Sequence, residues 1–197
     1  MEKVLSYSHT LLKKYLNDSS VVVDATCGLG QDTLFLAGIC KKVYAFDIQE
    51  VAINKTKERC KDFGNIEYIL DGHENVLDHI KEEIDGVIFN LGYLPGENHT
   101  ITTKSSSTLK ALESVMKILK VGGVIVVVVY PGHGEGRKES ESLLEYLKKV
   151  DQHTFDIIKY EFINQINDPP YLVAIERISW WERLLEFRLR RVLKVRS

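Results

Sequence analysis

The pattern that most constrains this chain is an alternation of short β-branched apolar runs with longer stretches of helical spacing. Runs of strand character fall at about 21–25, 43–47, 66–70, 86–90, 122–130, 154–162 and 171–177, and helices fit at about 31–39, 50–62, 74–82, 104–119 and 136–150. Parallel strands need crossover connections of a dozen or more residues, usually helices, and the resulting sheet must be covered on both faces. The last two runs are joined only by Asn164 to Pro170, too short for a crossover helix, so they are expected to pair as an antiparallel hairpin. The expected fold is α/β and Rossmann-like: a seven-stranded, mostly parallel sheet with an antiparallel last strand and helices on both faces.

A chain of 197 residues, 44% hydrophobic and 27% charged, is long enough for one domain with a sizeable core, assigned here to residues 1–177. The longest apolar run, Val121 to Tyr130, contains two glycines and is far shorter than the roughly 20 residues that span a bilayer. The N-terminus has no sustained apolar stretch and no small-residue cleavage site, so no membrane partner is expected and the expected location is cytoplasmic. Cys27, Cys40 and Cys60 lie 13 and 20 residues apart without a Cys-x-x-Cys pair, which indicates reduced thiols and no metal site.

In open α/β sheets ligands bind outside the carboxyl ends of the parallel strands, which ranks the loops before any motif is consulted. The first of these reads Asp24-Ala25-Thr26-Cys27-Gly28-Leu29-Gly30-Gln31-Asp32-Thr33. Glycines at 28 and 30 permit a tight turn and close approach to a ligand, and the helix behind them offers its N-terminal N–H groups. A dinucleotide site wants Gly or Ala where Thr33 stands, and Asp24 and Asp32 sit badly beside a pyrophosphate. Those carboxylates suit a ligand with an ammonium and a sulfonium, which is what S-adenosylmethionine presents. The competing reading is an ordinary strand-to-helix turn capped by Asp32 or Thr33. The second strand ends in Asp47-Ile48-Gln49, where a carboxylate can accept both ribose hydroxyls, and the third ends in Asp71-Gly72-His73, where Asp71 or His73 can face an adenine edge or cap the helix that follows. The cofactor set is therefore Asp24, Thr26, Gly28, Leu29, Gly30, Asp32, Thr33, Asp47, Gln49, Asp71, Gly72, His73 and Asn90.

Over about residues 4–177 the chain resembles a family of small stand-alone bacterial class I methyltransferases labelled rRNA methylases. The likeness is carried by Tyr7-Ser8-His9, Asp24-Ala25-Thr26, Asp32 to Ala37, Phe46 to Gln49, Asn90 to Pro95, Tyr130-Pro131-Gly132-His133 and Asn167 to Tyr171. A member of that family methylates the aminomethyl group of 5-aminomethyl-2-thiouridine at the wobble position of tRNA. The resemblance thus implies S-adenosylmethionine as methyl donor and the anticodon region of tRNA as partner. Two positions depart from the family pattern: Leu29 replaces its usual Asn, and Gln31 its frequent His.

The fourth strand stops at Asn90-Leu91-Gly92-Tyr93, which resembles, in its first and fourth positions, the Asn/Asp-Pro-Pro-Tyr/Phe motif of amine-directed methyltransferases. Asn90 and Tyr93 are accordingly the acceptor-site candidates, with His133 as a third catalytic candidate. An alkyl amine is mostly protonated at neutral pH and must lose a proton before it attacks; His133, His99, His9 and Asp168 can take or relay it. Leu94, Pro95 and Pro131 complete one part of the expected substrate surface, and Pro170 and Tyr171 the other. A cysteine-based attack on uridine is disfavoured, because Cys27 lies in the cofactor turn.

Residues 178–197 form a separate extension in which Ser179 to Ser197 carry six Lys/Arg against two Glu, leaving about −6 on the rest of a chain of net charge −2. Helical spacing puts Trp180, Trp181, Leu184, Leu185, Val192 and Val195 on one side, consistent with a basic amphipathic helix. Docking on the domain or a homodimer contact is the leading expectation for it, ahead of binding RNA phosphates or lying on a membrane surface. Two rival functions stay open at this point: a methyltransferase for another RNA base or a small molecule, and a catalytically silent nucleoside- or RNA-binding module.

Overall fold

The computed structural model describes residues 1–91, 105–132, 135–181 and 184. Its elements run α1 (Val4–Tyr15), β1 (Val21–Asp24), α2 (Gln31–Ala37), β2 (Lys42–Asp47), α3 (Glu50–Arg59), β3 (Ile66–Leu70), a 3-10 turn (His73–Asn75), α4 (Val76–His79), β4 (Ile84–Leu91), α5 (Ser105–Ile118), β5 (Leu119–Val129), α6 (Glu135–Leu147), β6 (Phe155–Tyr160) and β7 (Tyr171–Arg177). The seven strands form one sheet in the order β3-β2-β1-β4-β5-β7-β6. The first five are parallel, and β7 runs antiparallel to both β5 and β6, as the short Asn164–Pro170 connection requires.

Both faces are covered, which explains why the central strands read as near-continuous Val and Ile rather than alternating. Val23, Val87 and Ile125 pack with Leu112 and Val115 of α5 and Leu143 of α6. Val22, Ile88 and Val126 face the other way, against Leu11 and Leu12 of α1 and Leu36 of α2. The helix α1 has no counterpart among the elements expected from the sequence. Its buried positions Val4, Ser8, Leu11 and Leu12 follow helical spacing, but a polar residue sits mid-stripe and no acidic residue marks the first turn. The expected helix at 74–82 is a 3-10 turn followed by the four residues of α4, because Ile80 already leaves helical geometry. Strand β5 starts three residues earlier than expected, at Leu119, and runs through Gly122 and Gly123.

The chain leaves β1 toward β2 and β3 on one side and later returns to β4 and β5 on the other. The carboxyl ends of β1 and β4 therefore flank the point where the winding reverses, where a crevice opens in folds of this type.

Candidate active site

Register places Asp24 of β1 beside Ile88 of β4, so the turn after β1 and the end of β4 meet at that crevice. The turn is pinned to its neighbours: Ala25 N–H donates to Ile88 O (2.9 Å), Cys27 N–H to Phe46 O (2.8 Å) and Gly30 N–H to Cys27 O (2.7 Å). Gly28 and Gly30 hold φ of 49° and 78°, in the left-handed region that favours glycine. At Gly30 a Cβ would also come within 3.0 Å of the Thr56 backbone. Leu29, at the position where the family has Asn, contributes its carbonyl, which accepts from Arg59 Nε at 2.6 Å.

Three carboxylates converge on this turn. Asp24 is fully buried and accepts from Thr33 Oγ1 (2.5 Å) and Thr26 N–H (3.2 Å). Burial, and then the charge of Asp32, push its pKa up to about 7. Asp47 accepts from Gly28 N–H (3.0 Å) and Gln49 N–H (2.9 Å), and burial raises its pKa despite those two donors. Asp32 accepts from His9 (2.6 Å) through one oxygen and from the Asn90 amide (3.2 Å) through the other. Asn90 is fixed a second time, because its backbone N–H donates to Thr26 Oγ1 at 2.8 Å.

The loop after β3 is arranged differently from its neighbours. Asp71 is engaged locally by Gly72 N–H, Asn75 Nδ2 and His79 Nε2 at 2.7, 2.9 and 2.8 Å, and the His79 contact holds its pKa below the usual carboxylate range. His73 bonds Ala25 O through Nδ1 (3.1 Å); a carbonyl only accepts, so the proton is on Nδ1 and Nε2 carries a lone pair. That Nε2 is the one buried side-chain nitrogen or oxygen among the described residues without a hydrogen-bond partner. Burial lowers the His73 pKa and keeps the ring neutral.

The acceptor-side candidates separate. His9 and Asn90 come together at Asp32 although they are far apart in the chain. Pro131 lies at the same rim beyond β5, next to Tyr130, whose phenol has a pKa raised by burial and by the charge of Asp32. Asp168 is paired with Arg137 at 2.7 Å on the surface, in a turn where Asn167 and Asp168 both have positive φ. Pro170 is partly buried, and Tyr171 is a core residue, 4% exposed, with its hydroxyl against Ser140 at 2.8 Å. Tyr93, Leu94, Pro95, His99 and His133 lie outside the described residues. Cys27 is enclosed, and burial drives its thiol pKa far up, so it stays a protonated thiol. Two site features escaped the reading of the sequence: Ile48, 59% exposed beside the Asp47 carboxylate, and Phe35, on whose ring His9 stacks at 3.9 Å. An apolar residue at a ligand-facing strand end is a signal for the first; nothing local signals the second.

A glycine turn, clustered carboxylates and an unpaired imidazole acceptor make a donor and acceptor set that fits S-adenosylmethionine. The carboxylates offset a cation, Asp47 suits ribose hydroxyls, and the His73 lone pair is of the kind an adenine amino group satisfies.

Comparison with known proteins agrees with that fit. Residues 43–176 match the family model described as "Putative rRNA methylase". The chloroplastic tRNA (mnm5s2U34)-methyltransferase of Arabidopsis thaliana is 32% identical over 195 residues, covering 89% of this chain and 70% of that protein. A Streptococcus mutans protein described as a "putative methyltransferase", solved in complex with SAH, is 39% identical with a TM-score of 0.86, covering 90% of this chain and 99% of its own. An rRNA methylase structure from Streptococcus thermophilus is 42% identical with a TM-score of 0.80, over 91% and 99% of the two chains. No helix among the described residues is long and apolar enough to cross a membrane. With a seven-stranded methyltransferase sheet, a cofactor turn that suits a cationic nucleoside and relatives of this kind along nearly its whole length, the chain belongs to the rRNA methylase family and is an S-adenosylmethionine-dependent RNA methyltransferase.

Proposed function

We propose that this enzyme N-methylates the 5-aminomethyl group of 5-aminomethyl-2-thiouridine at the wobble position of tRNA, with the anticodon region as its partner. The observation that carries this reading is the orientation of Asn90. Its Nδ2 is committed to Asp32, and a carboxylate accepts but does not donate, so the amide oxygen is the atom left for the acceptor. An amide oxygen selects a target that brings N–H groups, as an alkyl amine does. The name of the Arabidopsis relative supplies the particular amine.

In this reading Gly28, Gly30, Asp24 and Asp47 hold S-adenosylmethionine, with Gln49 and His73 at the nucleoside end. Bound there, the cofactor supplies an electrophilic methyl group on a sulfonium. The chain's own task is alignment: bringing nitrogen and methyl carbon to roughly 3–3.5 Å in line with the leaving sulfur is what such a site contributes most. Asn90 orients the amine, the buried turn excludes water from one side, and the neutral His73 ring offers its lone pair at the nucleoside end.

Mass spectrometry of nucleosides from cells with and without the gene tests the proposal. Loss of the gene is expected to leave a bare aminomethyl group on wobble uridine, and tRNA from those cells is expected to accept methyl from the purified protein. Unchanged tRNA together with a missing methyl group in ribosomal RNA transfers the assignment to the rRNA substrate that the family description names.

A further inference from the structure

The carboxylates of the active site fall into two sets. Asp24 and Asp47 direct their oxygens into the turn and its supports, to Thr33 and Thr26 in one case and to Gly28 and Gln49 in the other. Asp32 instead joins two other elements. Its Oδ1 meets His9 Nε2 from α1 at 2.6 Å, and its Oδ2 meets Asn90 Nδ2 from the end of β4 at 3.2 Å. We propose that Asp32 takes the proton from the acceptor ammonium and that His9 positions Asp32 for this, an inference that rests on the reading of the acceptor as an alkyl amine.

The chemistry requires such a group. An alkyl amine has a pKa near that of lysine, about 10.4, so at pH 7 almost all of it is an ammonium without a lone pair. Asn90 can hold that nitrogen but cannot remove its proton, since an amide is not a base at this pH. Asp32 is one hydrogen bond away from the same amide, on the acceptor side, and its side chain keeps 11% of its surface open. Because the carboxylate accepts only, His9 presents Nε2–H to it, and the imidazole plane is set by parallel stacking on Phe35 at 3.9 Å and 2°. His9 thereby occupies Oδ1 and leaves Oδ2 toward Asn90. Among the described residues, the titratable and charged groups around this couple include Asp24 from β1, Tyr130 beyond β5, and Lys13 of α1, whose Nζ lies 5.5 Å from the Phe35 ring centroid. The family model begins at residue 43, so both His9 and Asp32 precede the matched segment.

One ammonium N–H bond breaks, its electron pair stays on nitrogen, and the proton bonds to Asp32. That lone pair forms the new N–C bond while the bond from the methyl carbon to sulfur breaks and its pair returns to sulfur. The product nitrogen, now secondary, leaves as a cation, and Asp32 gives its proton to solvent once the product has gone.

Single-turnover methyl transfer, measured between pH 7 and 9 on tRNA from cells lacking the protein and alongside SAH affinity, tests this. The full chain is expected to show a nearly flat rate, because the proton stays within the complex. Asp32→Asn is expected to lose about 100-fold at pH 7, within the usual range for a general base, and to recover about tenfold per pH unit as the amine arrives deprotonated. His9→Ala is expected to lose about tenfold, and His9→Gln, which keeps an N–H donor, to regain most of it. His153→Gln, outside the site, serves as an unaffected control. An Asp32→Asn defect of equal size at every pH, or one found entirely in SAH affinity, overturns the role of Asp32. A His9→Gln variant as impaired as His9→Ala, or a His9→Ala variant as active as the parent, overturns the role of His9. A parent protein that does not methylate this tRNA sinks the amine reading and this proposal with it, whereas an active parent with those variant outcomes sinks this proposal alone.

Discussion

Asp47 accepts the backbone N–H of Gly28 at 3.0 Å across 19 residues of sequence, so the carboxylate that ends β2 is also a strut of the glycine turn after β1. Its other oxygen holds Gln49 N–H, which fixes the side chain at the start of α3. On the proposed reading, removing this carboxylate loses a ribose acceptor as well as loosening the turn. Asp47→Ala is expected to weaken SAH binding by roughly 10- to 150-fold, the effect of losing one charge-assisted hydrogen bond worth about 1.5–3 kcal/mol. Titration calorimetry measures it, and an unchanged affinity removes Asp47 from the cofactor site.

As a proposed cofactor residue, Asp24 is expected to make binding and stability respond to pH in opposite directions. Its folded pKa, about 7, lies above the ordinary 3.8, so its stabilising contribution is complete below the ordinary value and is lost as pH rises through about 7. A cationic ligand favours the ionised form. S-adenosylmethionine affinity is therefore expected to fall by up to about tenfold per pH unit below 7, with proton release on binding near pH 6.5. Asp24→Asn is expected to raise the melting temperature of the free protein at pH 8 while weakening S-adenosylmethionine. Calorimetry in two buffers of different ionisation enthalpy reads the proton, and binding without proton exchange at pH 6.5 contradicts the assignment.

Asn90 touches both Thr26 on the turn after β1 and Asp32, the residue proposed for the acceptor side, but the Thr26 bond uses its backbone. Asn90→Ala keeps that bond and deletes the amide. Turnover on the tRNA substrate is expected to fall by roughly 10²- to 10³-fold, the range seen when one positioned hydrogen-bonding group is removed from a reacting centre, with SAH affinity changed only a few-fold. Full activity in this variant, with the same product, excludes the amide from acceptor recognition.

The residues that show themselves in sequence are those whose role is local. Gly28 and Gly30 sit where φ turns positive, and Asp47 stands at a strand end at the spacing of a ribose acceptor; periodicity marks the seven strands, and the short Asn164–Pro170 connection marks the antiparallel last one. What periodicity does not expose is contact at long range: Asp32 and Asn90 are 58 residues apart, His9 and Asp32 are 23 apart, and neither pair has a local signature. The helix that brings His9 to the site is amphipathic but carries Ser8 in its buried stripe, where the hydroxyl turns back to Leu5 O at 2.7 Å. A polar residue satisfied by its own helix looks like a break in the pattern. Leu12, fully buried beneath that helix, provides a check: Leu12→Ala is expected to cost about 2–5 kcal/mol, measured by denaturant unfolding. A loss below about 0.5 kcal/mol means that α1 is not part of the core.

The extension beyond Arg177 gives the last prediction. Trp180 and Trp181 are 43% and 72% exposed, and Trp180 meets His153 edge-on at 6.2 Å, so the start of the extension touches the domain near the amino end of β6. The parallel strands present their carboxyl ends, and with them the proposed catalytic residues, at the opposite rim. Truncation after Arg177 removes six Lys/Arg, and every cofactor contact proposed above precedes it, so SAH affinity is expected to be unchanged. We propose docking or a homodimer contact rather than RNA binding for this segment, and salt dependence separates the two. If the cations met phosphates, losing them would flatten the slope of log affinity against log salt by about 0.7 for each single-strand contact and about 0.9 for each duplex contact. Equal slopes for full-length and truncated protein, with a lower melting temperature or a loss of dimer in sedimentation, are the expected result. A flattened slope with unchanged stability assigns the extension to RNA.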